Sequence, residues 1–129
     1  MIEPNTFGTH EFMDFVQQIG AEAYLSVNVG SGTAQEAADW LEYLTTDQPT
    51  ALAKERAANG HPEPYGISFL GLGNENWGCG GSMTPEHYVS MLKIFARYSR
   101  NYNAKHPMRK IAVRPDTADT GYTEAVMKA

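Results

Sequence analysis

The chain has 129 residues, enough for one domain of ordinary size or a piece of a larger one. With 42% hydrophobic and 19% charged residues it has the material for a buried core, which excludes a disordered chain. A net charge of −5, with no basic cluster beyond Arg109-Lys110, argues against a nucleic-acid partner, because phosphate binding needs concentrated positive surface.

In chain order, Met1-Ile2-Glu3-Pro4 has neither the basic start nor the apolar run of a secretory signal. Thr9 can cap a helix whose apolar residues Phe12, Phe15, Val16 and Ile19 share one face, with Gly20 as its stop. "AYLSVNVGSG" predicts a first strand of about six residues closing in glycines. Thr33 and Glu36 form a capping box for a second helix that buries Ala37, Trp40, Leu41 and Leu44. A long connection follows, with room for one short helix ending at Gly60, since Pro62 and Pro64 forbid more. "ISFLGLG" is a second strand. Thr84-Pro85-Glu86 supplies a cap, a proline at the first position and an acid in the first turn of a helix. The apolar face of that helix is Tyr88, Met91, Leu92, Phe95 and Tyr102. "KIAVRPD" is a third strand, and "YTEAVMKA" a last helix that stops abruptly.

Helices alternating with strands predict consecutive βα units and a parallel sheet, and the nearly continuous apolar strands fit burial on both faces. Two architectures use such units: an open doubly wound sheet, and a slice of a (β/α)8 TIM barrel. The abrupt last helix favours the partial barrel, with about three parallel strands and flanking helices, residues 1–129 forming part of a single (β/α)8 domain. No stretch reaches the roughly 20 apolar residues of a membrane span, so no membrane partner is expected. The lone Cys79 leaves no internal disulfide and points to a reducing, cytoplasmic setting. His10, His61, His87 and His106 lie far apart without ligand spacing, so no metal site is expected.

In either architecture chemistry gathers at the carboxyl ends of the strands. Three such ends are visible: Asn28 with "VGSG", then "GNENWGCGG", then Arg114, Pro115 and Asp116. The connection between Leu44 and Ile67 enters a strand at its other end, where its charges and prolines serve stability or subunit contact. Glu75 is the one acid at the mouth of an otherwise uncharged strand. Partial desolvation there would raise its pKa and suit a general acid, whereas the plainer role is a cap on the glycine loop. Asn74 and Asn76 can hydrogen-bond hydroxyl groups or serve only as turn residues; Asn28 joins them as a substrate-binding candidate. Trp77 can stack on a sugar face or anchor the loop. The glycines do not close a phosphate-binding fingerprint: the third glycine of a dinucleotide motif is replaced by Asn76, and Cys79 stands where a P-loop needs lysine. Cys79 has no neighbouring histidine to make it a nucleophile. His10 and Glu11 fit a capping role at their helix, and Asp116 fits a turn former or a partner for Glu75.

"GLGNENWGCGG", with "FGTHEF", "SVNVGSGT", "AADWLEY", "RAANGHPEPY" and "TPEHY", resembles the α-L-arabinofuranosidases of glycoside hydrolase family 51, from about Asn5 onward. The resemblance implies a retaining glycosidase on a (β/α)8 barrel, needing no cofactor, that removes terminal arabinofuranosyl groups from arabinan, arabinoxylan and related oligosaccharides. It implies that Glu75 is the acid/base catalyst at the end of barrel strand four and that Asn74 binds the sugar near its 2-hydroxyl. It further implies that the nucleophilic glutamate lies on a later strand, beyond residue 129, and that the full-length enzyme is a homo-oligomer. "IAVRPDTADTGYTE" matches only loosely, so Arg114 and Asp116 receive no role from it. Two other readings use the same residues. One is a barrel glycosidase acting on a different sugar; the other is a non-catalytic carbohydrate-binding or scaffold module built on Asn74, Asn76 and Trp77. A downstream strand ending in glutamate separates the enzymes from the module.

Overall fold

The computed structural model describes residue 2, residues 4–116 and residues 120–129. Residues 117–119 of the loosely matching stretch therefore lie outside the described residues. Within these limits the chain runs α1 (Thr9–Gln18), β1 (Tyr24–Val27), α2 (Ala34–Thr45), α3 (Ala51–Ala58), β2 (Phe69–Leu72), α4 (Pro85–Tyr98), β3 (Arg109–Ala112) and α5 (Thr120–Met127). Among them no helix is long and apolar enough to cross a membrane.

The strands form one parallel sheet in the order β1-β2-β3, with Leu25 opposite Leu70 and Val27 opposite Leu72. Because side chains alternate along a strand, this register puts two different surfaces on the two faces. Leu25, Val27, Leu70 and Leu72 are buried against Leu41 and Leu44 of α2 and Tyr88 and Phe95 of α4, in one apolar cluster that also takes Met13 and Val16 of α1 and Tyr122 of α5. On the other face Tyr24, Ser26, Arg109 and Ile111 are exposed, and no described element covers them. Gly71 lets the Tyr24 and Ser26 side chains lie across that face, where a Cβ would come within 2.5 Å of the Tyr24 hydroxyl and 2.6 Å of Ser26 Oγ and displace them. A doubly wound sheet buries both faces under helices. One covered face is the arrangement of a barrel wall, and the three βα units are such an arc.

The local signals form as their chemistry requires. Thr33 Oγ1 accepts from the Glu36 N–H at 3.1 Å and Glu36 Oε2 accepts from the Thr33 N–H at 2.7 Å, closing the capping box of α2. Thr84 caps α4 with Pro85 at its first position. The short helix in the connection is α3, capped by Thr50 and followed by Gly60 at φ +101°.

Three expectations need correction. First, α1 is rotated from its predicted face: Met13 and Val16 are buried, whereas Phe15 and Ile19 are 50% and 60% exposed. The stripes 12/15/16/19 and 9/12/13/16 both have helical spacing. The Trp40 indole N–H donating to Thr9 Oγ1 at 3.2 Å, and His10 meeting Tyr43, turn the second stripe inward. Thr9 is thereby inside the helix; Gly8 holds the cap position, its N–H donating to Glu11 Oε2 at 2.8 Å. Second, α4 ends at Tyr98, and Tyr102 packs on the core from the loop beyond it. Third, the paired strands are shorter than the apolar runs. β3 stops at Ala112 because the Val113 N–H turns away to the Tyr88 hydroxyl, and Pro115 has no N–H to offer.

The connection between α2 and β2 is organised by one cation. Arg56 is 2% exposed, and its guanidinium donates to the carbonyls of His61, Tyr43, Leu44, Thr46 and Pro62 at 2.7–3.4 Å. A rigid fork of donors matches several carbonyls that the irregular backbone leaves unpaired. Arg56→Met keeps the aliphatic bulk but takes the guanidinium from these acceptors, of which, among the described residues, Leu44 alone has another donor, the Tyr65 N–H. It is expected to destabilise the fold by about 3 kcal/mol or more, read from urea denaturation. A change below about 1 kcal/mol would show that water replaces the guanidinium.

Candidate active site

The site forms where β2 ends. Leu72 closes the ladder, and Gly73, at φ +100°, turns the chain out of the sheet. Glu75 follows in the left-handed region at φ +45°, an uncommon conformation for a residue with a Cβ. Its carbonyl accepts N–H bonds from Gly78 at 2.8 Å and Gly80 at 3.0 Å, so the backbone coils tightly around it. Asn76 locks the coil. It is 1% exposed, its Nδ2 donates to the Gly80 carbonyl at 2.8 Å, and its own carbonyl accepts the Met83 N–H at 2.7 Å.

Two glycines are dictated by this packing. A Cβ on Gly73 would lie 1.9 Å from Asn76 Oδ1, and one on Gly80 would lie 1.8 Å from the Asn74 carbonyl oxygen. The loop also closes on its neighbour after β1, where a Cβ on Gly30 would lie 2.5 Å from the Gly80 carbonyl oxygen.

Below the loop, Tyr88 fixes the strand ends. Its fully buried hydroxyl donates to the Leu72 carbonyl at 2.7 Å and accepts the Val113 N–H at 2.8 Å, joining β2 and β3 just beyond their ladder. Burial pushes this phenol up, so it stays a neutral donor. Its place on the apolar face of α4 gave no hint of this bridge.

Between the loops after β1 and β2 lies a cleft of about 440 Å³, lined by Ser26, Asn28, Ser31, Asn74, Asn76 and Cys79 among others. Asn28 is held in a turn, its Nδ2 donating to Ser31 Oγ at 2.9 Å and its Oδ1 accepting the Ser31 N–H at 3.0 Å. The fold thus brings Asn28 and Asn74 to one cleft. Glu75 reaches it through Cys79, whose Sγ–H donates to Glu75 Oε2 at 3.0 Å. That contact was invisible in the sequence, where Cys79 had no partner in view. The hydrogen bond that the thiol donates to Glu75, and then the negative charge of that carboxylate, push the Cys79 thiol up.

The desolvated carboxylate expected at the strand mouth is not found: Glu75 is exposed, because the coil lifts it clear of the strand and the described residues build no wall over it. Asn76 is the loop's internal tie. Trp77 is half-buried and packs on the core cluster. Asp116 is exposed and does not line the cleft. A larger cavity of about 630 Å³, lined by Ala23, Ile67, Ser68 and Pro107, lies at the opposite end of the sheet, where the strands begin. In barrels of βα units that end serves stability and the other serves chemistry.

The fold also assembles His10 and His61, with ring centroids 6.2 Å apart, which their sequence spacing did not show. Both His10 nitrogens are occupied, 2.5 Å from the Tyr43 hydroxyl and 2.9 Å from that of Tyr65, and His61 Nδ1 lies 2.6 Å from the Glu63 carbonyl. Burial pushes the Tyr65 phenol up to about 12. No group of three or more potential metal ligands occurs among the described residues.

Residues 1–126 match the family described as the alpha-L-arabinofuranosidase 1 domain. The chain is 44% identical over 126 residues to the intracellular exo-alpha-L-arabinofuranosidase of Bacteroides ovatus, covering 98% of this chain and 24% of that protein. It superposes on the GH51 arabinofuranosidase of Xanthomonas axonopodis pv. citri with a TM-score of 0.94 at 40% identity, over 98% of this chain and 25% of that one. The alpha-L-arabinofuranosidase of Thermotoga maritima, solved as an arabinose complex, gives 0.86 at 38% identity, over 97% and 26%. A fold of βα units with its polar residues at the strand ends is a segment of the barrel type, and the matches to these enzymes make it a segment of a glycosidase. The chain belongs to the glycoside hydrolase family 51 α-L-arabinofuranosidases, and it spans about a quarter of the length of the relatives it matches.

The Cys79–Glu75 contact can be read without any substrate. Glu75→Gln removes the charge that suppresses the thiolate, so alkylation of Cys79 by iodoacetamide at pH 7, followed by peptide mass spectrometry, should quicken several-fold. An unchanged rate would show that the two side chains do not meet.

Proposed function

We propose that the full-length protein is a retaining α-L-arabinofuranosidase that hydrolyses terminal non-reducing α-L-arabinofuranosyl groups of arabinan, arabinoxylan and related oligosaccharides, with Glu75 as its acid/base catalyst. The observation that carries this reading is the placement of Glu75 at the carboxyl end of β2, in a backbone fixed by Asn76, beside the cleft that holds Asn28 and Asn74. In the first step a second carboxylate, supplied from elsewhere in the protein, attacks the anomeric carbon while Glu75 gives its proton to the departing oxygen. In the second, Glu75 takes a proton from water as that water displaces the enzyme carboxylate. Retention requires the two carboxyl groups to lie roughly 5–5.5 Å apart.

Asn74 and Asn28 are the hydroxyl-binding residues in this reading, with Trp77 offering the exposed part of its ring to the sugar. The cytoplasm is the setting we propose, in keeping with the name of the Bacteroides relative. Homo-oligomerisation would cover the exposed Phe15 and Ile19 of α1.

Protonation matters most for a poor leaving group. Glu75→Ala in the full-length protein should therefore cost about 10²–10⁴-fold in kcat/KM on an arabino-oligosaccharide and far less on a nitrophenyl arabinofuranoside. Equal losses on both would make Glu75 structural. The 129-residue chain alone should show no turnover of either substrate, since among the described residues a single carboxyl, Glu75, stands beside its cleft where the reaction needs two. Turnover that survives Glu75→Gln would place the chemistry elsewhere.

A further inference from the structure

We infer that Cys79 is a positioning residue for Glu75: its thiol proton holds one carboxylate oxygen, Oε2, so that the other, Oε1, is the one presented to the glycosidic oxygen. The inference rests on the acid/base reading of Glu75 and adds to it a means of choosing between two chemically equivalent oxygens.

The backbone of Glu75 is fixed by the loop, but an exposed glutamate side chain still has rotamers to sample, and freezing them needs a specific contact. Among the hydrogen bonds of the described residues, the one to the Glu75 carboxylate comes from Cys79 Sγ, at 3.0 Å. The donor is itself placed by the coil: the Gly78 and Gly80 N–H groups flanking it both bond the Glu75 carbonyl, so thiol and carboxylate are turned to the same side. Cys79 also lines the cleft beside Asn74.

The chemistry suits a donor that never changes state. When Glu75 carries its catalytic proton, an Oε2 already accepting from the thiol leaves Oε1 as the site of that proton. After transfer, Oε1 is the free base facing the incoming water. The thiol forms no bond to substrate and loses no proton. Glu75 pushes the thiol up, which keeps it an S–H donor through neutral pH. A histidine or lysine at this position would add a charge and hold the carboxylate as an ion pair; the thiol orients it without doing so.

The test uses the full-length protein with Cys79→Ala, Cys79→Ser, Glu75→Ala and the Glu75→Ala/Cys79→Ala double variant. Each is assayed on an arabino-oligosaccharide and a nitrophenyl arabinofuranoside. Cys79→Ala should lower kcat on the oligosaccharide about tenfold with KM within about twofold, and change the nitrophenyl substrate by less than about twofold. Cys79→Ser, which keeps a donor, should recover most of the loss. In the Glu75→Ala background, removing the thiol should cost nothing further, because the group it positions is gone. Equal losses on both substrates, a raised KM without rescue by serine, or a further loss in the double variant would overturn the positioning role. If Glu75→Ala shows its leaving-group dependence while Cys79→Ala is silent, only the positioning role falls. If Glu75→Ala shows no such dependence, the acid/base reading fails and the positioning role fails with it.

Discussion

The left-handed turn at Glu75 is the constraint on which the site depends. A residue with a Cβ pays about 1–2 kcal/mol to sit there, so something must hold it. The Asn76 side chain does so from inside the coil, bonded to the Gly80 carbonyl, while the Gly78 and Gly80 N–H groups close on the Glu75 carbonyl. Each such bond contributes about 1 kcal/mol, enough together to offset the strain. The tie works only because Gly73 and Gly80 leave it room, which accounts for glycines that form no phosphate cradle. An acid sits between apolar strand and glycines because the strand supplies a rigid base and the coil aims the side chain away from it.

That coil is anchored in turn to the sheet. Tyr88 spans the ends of β2 and β3 with one hydroxyl, and Gly30 lets the loop after β1 close against Gly80. The position of Glu75 is thus fixed by all three strands. The helix-covered face provides the stability behind it, and the opposite face, with Tyr24, Ser26 and Ile111 exposed, is the side a barrel turns inward.

Much of this was legible in the sequence, for identifiable reasons. Thr33 with Glu36, and Thr84 with Pro85, act through local hydrogen bonds, so a few residues define each helix start. The apolar runs located all three strands, though not their ends, because pairing stops where a glycine turn or a side-chain hydroxyl captures the backbone. The face of α1 was ambiguous because two stripes share Phe12 and Val16, and only Thr9 and His10 meeting α2 decide between them. The charges between Leu44 and Ile67 read as serving stability or subunit contact, but Arg56 could not be singled out among them because its partners are carbonyls, which every residue carries. Glu75 and Asn74 stood out by chemical type at a strand end. The exposure of Glu75, the internal role of Asn76 and the thiol contact depend on how the loop coils, and no local pattern encodes that.

The central claim is that Glu75 moves protons and forms no bond to the sugar. In full-length Glu75→Ala, azide fits the space left by the carboxylate and attacks the glycosyl-enzyme without needing a base. With a nitrophenyl α-L-arabinofuranoside, the anomeric configuration of the arabinofuranosyl azide decides the matter by NMR. Faster turnover with an azide of the substrate's own configuration is the expected result; an azide of inverted configuration would make Glu75 the nucleophile and contradict the assignment.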